Sequence, residues 1–163
     1  MGLFSFLRGA GNDELKKKED EATAAMNEAN RVAQEALLRS QKQIMLEDIV
    51  KTTNIPVENL GVQLNDSTVT VTGTVDTQAD KEKVILALGN VNGIATVDDQ
   101  MTVKSAGEAS DFYEVKSGDS LSKIAKHYYG DPMKYQIIFE ANQPMLTNPD
   151  LIYPGQTLRI PKI

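Results

Sequence analysis

The chain has 163 residues, of which 40% are hydrophobic and 25% charged, and its formal net charge at pH 7 is −6. It has no cysteine, which excludes disulfides and thiolate metal sites, and its single histidine argues against a transition-metal cage. An acidic chain without a basic stripe is not expected to bind nucleic acid or an anionic membrane. Its negative electrostatic field instead attracts cations.

The opening residues, MGLFSFLRGAG, do not match an export signal. The apolar run Leu3–Leu7 is shorter than the roughly 7–15 residues that a secretory signal needs, and Arg8 follows it. Myristoylation after Gly2 would require Ser or Thr at position 6, which is Phe6. The sequence therefore predicts a cytoplasmic protein.

A long helix is predicted from Glu14 to about Lys51. This stretch lacks Pro and Gly and is rich in Ala, Glu, Lys, Gln and Leu. Its apolar stripe is thin between residues 20 and 36, so a partly mobile helix and a rigidly docked one both remain open. The sequence KTTNIP ends the helix, because Pro56 disfavours helical backbone at the residue before it.

The next segment predicts two strands, a helix and a third strand. The alternating sequence GVQLNDSTVTV, with turn residues at its centre, predicts a hairpin. Thr77 and Asp80 form a capping-box pattern that opens a helix ending at Gly89-Asn90, where a residue tolerant of positive φ is expected. The sequence GIATVDDQMTV then predicts the third strand. In the helix that Thr77 and Asp80 open, we expect Val84, Ile85 and Leu88 to point towards a core.

The C-terminal third predicts a second small domain. The small, polar stretch KSAGEASD fits an interdomain linker. After it, FYEV and QTLRIP predict strands that flank two helices, which Gly130-Asp131-Pro132 separate. We predict an α+β protein with an N-terminal segment and helix at 1–48, an αββαβ domain at 49–104, a linker at 105–112 and a βααβ domain at 113–163.

These two domains resemble known families. Residues 113–161 closely resemble the LysM domain in YEVKSGDSLSKIAKHYYGD, in EANQP with Asn142, and in IYPGQTLRIP. Residues 49–104 resemble the BON domain in VTVTGTV and ADKEKVILALGNVNGIATVDDQ. With the opening MGLF.F, the whole chain is similar to the bacterial BON–LysM potassium-binding protein family. It departs from that family at Asn12–Gln43, where the Ala/Glu-rich helix is longer than expected.

The family resemblance implies a cytosolic K⁺ sensor or buffer that changes conformation when it binds the ion, and we expect a monomer. Main-chain carbonyls suit K⁺ because they can replace its hydration shell, and a helix C-terminus leaves carbonyls unpaired. From the residues alone, an ordinary helix cap at Gly89 and an ordinary turn at Gly93 are favoured over an ion site. The resemblance reverses that preference and places K⁺ on the main-chain carbonyls of Leu7, Ala10, Gly89, Val91 and Ile94.

The LysM resemblance implies a different ligand, a glycan. The alternative function is therefore an adaptor at the cell envelope that binds peptidoglycan or other N-acetylglucosamine polymers. LysM could instead be a docking surface for the BON domain or for another protein, which we prefer. His127 has no visible catalytic partner, so we predict no enzyme. The glycan groove would involve Gly118, Asp119, Ser120, Leu121, Asn148, Pro149, Asp150, Leu151 and Ile152, which also fit turn, cap and core roles.

Overall fold

The computed structural model describes the backbone of residues 10–163 and the side chains from residue 14 onward. The chain divides into two compact units, residues 1–41 and residues 42–163. Helix α1 spans Ala10–Thr52, so it begins four residues before the predicted start and ends one residue after the predicted end. Within the first unit, every residue from Glu14 to Gln41 is exposed.

The first half of the second unit is an αββαβ arrangement that begins with the end of α1. Strands β1 and β2 form the predicted antiparallel hairpin, and its turn contains Asp66 at a φ of 54°. Strand β3 lies parallel to β2 on its other side, because α2 crosses over the sheet between them. The elements are β1 Glu58–Asn65, β2 Thr68–Thr77, α2 Gln78–Gly89 and β3 Thr96–Ser105.

Alternation along the strands produces the core of this half. Side chains at alternate positions of β2 point to the same face of the sheet, where the helices cover them. Leu46 and Val50 of α1 are 2% and 1% exposed, so the last turns of the long helix belong to this core. The other buried apolar members are Val62, Leu64, Val69, Val71, Val75, Val84, Leu88 and Met101.

The second half is the predicted βααβ arrangement around its own core. Ser120 accepts a hydrogen bond from the N–H of Lys123 at 3.3 Å and so caps α3, while Gly130 ends that helix at a φ of 72°. A short 3₁₀ turn, Pro132–Lys134, joins the two helices. The elements are β4 Asp111–Glu114, α3 Leu121–Tyr129, α4 Tyr135–Ala141 and β5 Thr157–Ile160, with β4 and β5 antiparallel.

The α+β class and the element order are confirmed, but the predicted face of α2 is partly wrong. Val84 and Leu88 are fully buried as expected, whereas Ile85 is only half-buried. Two unpredicted residues, Glu82 and Leu86, are 2% and 4% exposed. The reason is that α2 buries two faces, one on its own sheet and one towards β5. The prediction considered only the face that packs on the sheet of its own domain.

Candidate functional site

The candidate ion site is built on the segment that leaves the C-terminus of α2. We call Gly89–Ile94 the ion loop. The N–H of Val91 donates to the carbonyl of Leu88 at 3.2 Å, and the N–H of Ile94 donates to the carbonyl of Val91 at 3.1 Å. These two short turns fold the chain back on itself within six residues. The three predicted ligands of this segment, Gly89, Val91 and Ile94, therefore lie in one tight bend.

Two of the three predicted carbonyls are unpaired in this bend. Within residues 10–163, no N–H donates to the carbonyl oxygen of Gly89 or of Ile94. The carbonyl of Val91 accepts one hydrogen bond, and a carbonyl oxygen has a second lone pair. Because Gly89 ends a helix, its carbonyl also lies at the negative end of the helix dipole. The bend can offer hard oxygen donors to a cation.

The glycines of the bend differ in what they do. Gly93 has a φ of +92° with open space where a Cβ would stand, which fits the turn predicted at this residue. The expected positive φ at the end of α2 is wrong: Gly89 is not in that region, and Asn90 has a φ of −86°. The helix is ended by a side chain instead, because the Asn90 amide donates to the carbonyl of Leu86 at 2.9 Å.

A cavity of about 190 Å³ lies beside the ion loop. Its lining includes Val91, Gly93 and Ile94 of the ion loop, Met45 of α1 and Asp66 of the hairpin turn. The cavity leaves space for an ion beside Val91 and Ile94, and the Asp66 carboxylate contributes a negative charge next to it.

The other two predicted ligands come from the N-terminal unit. Leu7 lies outside the described residues, so its role stays a prediction. Ala10 and Gly11 are the first two residues of α1, which begins four residues before the predicted helix start at Glu14. Contact of the Leu7 and Ala10 carbonyls with the ion stays a prediction.

Two acidic side chains of β3 are engaged in pairs of their own. Asp99 pairs with Lys81 at 2.8 Å, and Asp98 accepts a hydrogen bond from Gln100 at 2.9 Å. In the described part of the chain, no group of three or more His, Cys, Asp or Glu side chains is placed to hold a metal ion. Main-chain oxygens, with the single carboxylate of Asp66 beside them, are therefore the donors that this region offers to a cation.

Sequence reasoning missed a set of residues on α2 that contact the second domain. Glu82, Leu86 and Asn90 recur every four residues, so they lie on one side of the helix. Glu82 accepts from Nε of Arg159 at 2.6 Å and from the N–H of Ser110 at 2.9 Å. The four-residue spacing was the signal available in the sequence, but no local pattern shows that the partners of Glu82 are 28 and 77 residues away.

The Glu82 carboxylate is held in its ionised form. Burial raises its pKa, but the hydrogen bonds that it accepts from Arg159, Gln78 and Ser110 outweigh burial. The pKa of Glu82 consequently lies below its ordinary value. Arg159 is 8% exposed, so both charges of this pair are removed from solvent and compensate each other.

The predicted glycan residues lie in two turns of the second domain. Asp119 accepts from the Tyr113 hydroxyl at 2.7 Å and from the N–H of Lys116 at 2.9 Å. These bonds hold the pKa of Asp119 below its ordinary value, the backbone bond most, and raise the pKa of Tyr113. In the second turn, Asn148 accepts from the N–H of Asp150 at 2.9 Å. Both sets of bonds are those of ordinary turns and do not by themselves indicate a sugar.

The remaining glycan candidates differ in exposure. Leu121 is 2% exposed and belongs to the core, whereas Leu151 is 65% exposed. Gly118, at a φ of 85°, accepts from the Lys123 ammonium through its carbonyl, and Ser120 is the α3 cap. Ile152 packs against the core from a half-buried position. Contact of these residues, or of Pro149, with a glycan stays a prediction.

Comparison with known proteins identifies both domains. Residues 41–105 match the BON domain, which includes the buried end of α1, and residues 113–161 match the LysM domain. Over 163 residues, 99% of both chains, the sequence is 42% identical to the potassium binding protein Kbp of Escherichia coli O6:H1 (strain CFT073). The chain belongs to the BON–LysM potassium-binding protein family. An uncharacterized protein of Deinococcus radiodurans (strain R1) is 65% identical over 49 residues, which are 30% of this chain and 19% of that one.

BON and LysM are binding domains, and the similarity to Kbp extends along both. No described helix of this family member is both long enough and apolar enough to cross a bilayer. His127 is exposed and contacts Tyr128 edge to face, with ring centroids 5.1 Å apart.

Proposed function

We propose that this protein binds K⁺ in the cytoplasm and acts as a potassium sensor or buffer. The observation that carries the proposal is the 42% identity, over the full chain, to a protein named for potassium binding. The unpaired carbonyls of Gly89 and Ile94 support the location, because they are hard donors at a helix C-terminus. The proposed ligands are the main-chain carbonyls of Leu7, Ala10, Gly89, Val91 and Ile94.

The donor type explains how the site would favour an alkali ion. A ring of neutral carbonyl dipoles can replace the hydration shell of K⁺ without the field that a carboxylate cage places on a divalent ion. The net charge of −6 adds a long-range attraction for cations of any kind. Selectivity would therefore depend on the spacing of the carbonyls, which the bend at Gly89–Ile94 sets.

The same donors explain how K⁺ binding would change the conformation of the protein. An ion that holds carbonyls from the opening residues and from the ion loop stabilises the conformer in which both segments meet. The population of that conformer then rises with K⁺ concentration, which is what a sensor requires. The monomer is the unit that we propose binds the ion.

A glycan-binding function remains the second candidate, because the LysM match covers residues 113–161. It would place N-acetylglucosamine polymers between the turns at Gly118–Leu121 and Asn148–Ile152. The similarity along the full chain favours potassium over this alternative.

One titration separates the two candidates. The purified full chain is titrated with KCl, NaCl and a chitooligosaccharide at constant ionic strength, and calorimetric heat and melting temperature are followed. Binding to the folded state raises stability by RT ln(1 + [L]/Kd), so K⁺ at 100 times its Kd should add about 2.7 kcal/mol. We expect a response to K⁺ and none to the sugar. A response to the sugar alone, or equal responses to K⁺ and Na⁺, would contradict the proposal.

A further inference from the structure

Asn90 lies between two of the proposed ligands, and its side chain contacts the LysM domain. Its amide nitrogen donates to the carbonyl of Thr157 at 3.0 Å, and its amide oxygen accepts from the N–H of the same residue at 2.8 Å. Both main-chain polar groups of one LysM residue are thus paired with one side chain of the ion loop. A two-point contact of this kind fixes orientation as well as distance.

The contact occupies the free edge of β5. One edge of β5 pairs with β4, and Thr157 and Arg159 present their main-chain groups on the other edge. Asn142, within LysM, pairs with Arg159 as Asn90 pairs with Thr157: it accepts from N–H at 2.7 Å and donates to the carbonyl at 2.8 Å. The free edge of β5 is therefore held by one amide from its own domain and by one from the ion loop.

The anchor on the LysM side is rigid. Leu158 and Ile160, which alternate with the two edge residues, are 0% and 1% exposed. The Glu82–Arg159 pair attaches the same strand to α2 eight residues before Asn90, about 12 Å along the helix axis. Because α2 and β5 are joined at two separated points, the ion loop cannot turn without disturbing its contact with β5.

We propose that Asn90 is a positioning residue that couples the ion loop to the LysM domain. Its backbone links the peptide that carries the Gly89 carbonyl directly to Val91, so fixing its side chain on Thr157 sets how the carbonyls of Gly89 and Val91 point. The inference rests on the proposed K⁺ function. Since coupling is reciprocal, K⁺ in the loop strengthens the Asn90–Thr157 contact by the factor by which that contact strengthens K⁺ binding.

Hydrogen exchange on the unmodified chain tests this coupling directly. The exchange rates of the Thr157 and Arg159 amides are measured by NMR in KCl and in NaCl at equal ionic strength. Arg159 is the internal control, because its N–H donates to Asn142 inside LysM and a general gain in stability would slow both amides. We expect K⁺ to slow Thr157 about tenfold more than Arg159, within the roughly 5- to 150-fold range of coupled sites.

A variant pair supplies the reciprocal measurement. Asn90→Ala should weaken K⁺ affinity about tenfold and remove the effect of K⁺ on Thr157 exchange. Thr77→Ala is the matched control, because it removes a cap from the opposite end of α2 and leaves the ion loop intact. Equal slowing of both amides, or wild-type K⁺ affinity in Asn90→Ala, would overturn the coupling and leave the K⁺ function standing. No K⁺ binding by the wild-type chain would overturn both.

Discussion

The buried Glu82–Arg159 pair yields the most demanding stability prediction. Arg159→Met leaves Glu82 ionised at 2% exposure without its cation, although the bonds from Ser110 and Gln78 remain. Removing one partner of a buried pair costs about 3–5 kcal/mol. Because two donors still compensate the carboxylate, we expect the lower end, a loss of about 3 kcal/mol in the free energy of unfolding at pH 7.

Urea denaturation followed by circular dichroism measures this loss, with Arg31→Met as control. Arg31 also bridges two carboxylates, at 2.6 Å from Glu28 and 2.5 Å from Glu35, but its side chain is 57% exposed. Exposed pairs contribute little, so the control should lose far less. The double variant Glu82→Gln/Arg159→Met should recover part of the loss, because it leaves no unpaired buried charge. Equal losses in Arg31→Met and Arg159→Met would refute the reasoning.

The pH dependence follows from the lowered pKa of Glu82. A carboxyl whose pKa is lower in the folded than in the unfolded state stabilises the protein at pH values above its unfolded-state pKa, which is about 4.3 for Glu. That contribution is lost as the pH falls through the folded-state pKa of Glu82. The stability difference between wild type and Arg159→Met should therefore shrink in acid, and a constant difference down to pH 3 would contradict the assignment.

Three further predictions concern α2 and the ion loop. Gly93→Ala forces a side chain into a φ of +92° and should cost about 1–2 kcal/mol in urea unfolding while weakening K⁺ binding in calorimetry; unchanged affinity would argue against Gly93 shaping the site. Thr77→Ala should cost about 1 kcal/mol in the same unfolding assay with K⁺ affinity unchanged, and weaker binding would show that the loop depends on the whole helix. Deletion of residues 1–11 should sharply weaken the calorimetric K⁺ response, whereas an unchanged response would remove Leu7 and Ala10 from the site.

Local sequence chemistry accounts for most of the fold. The pattern of Thr77 followed by Asp80 placed the start of α2 correctly, because the cap bond at 3.1 Å is made within four residues. The hairpin was equally local, since its turn and its alternation lie within one short stretch.

The interdomain contacts could not be found in this way. Glu82 and Asn90 pair with Arg159 and Thr157, which lie 77 and 67 residues away in the sequence. A helix stripe at four-residue spacing shows that a second face exists, but not what covers it. The expectation of a positive φ at the end of α2 failed for a different, local reason, because the Asn90 side chain caps the helix that a glycine was expected to end.

The candidate ion site required the family resemblance. Carbonyl donors belong to every residue, so no residue type in Gly89–Ile94 identifies them. What the structure adds is the bend at the end of α2, with carbonyls of Gly89 and Ile94 that no described donor occupies.

Potassium anomalous scattering tests the central claim most directly. Crystals grown in KCl give anomalous difference maps on either side of the potassium absorption edge, which locate K⁺ by element. We predict one strong peak within coordination distance of the main-chain oxygens of Gly89, Val91 and Ile94. A peak elsewhere, or water alone against these oxygens at saturating K⁺, would contradict the account.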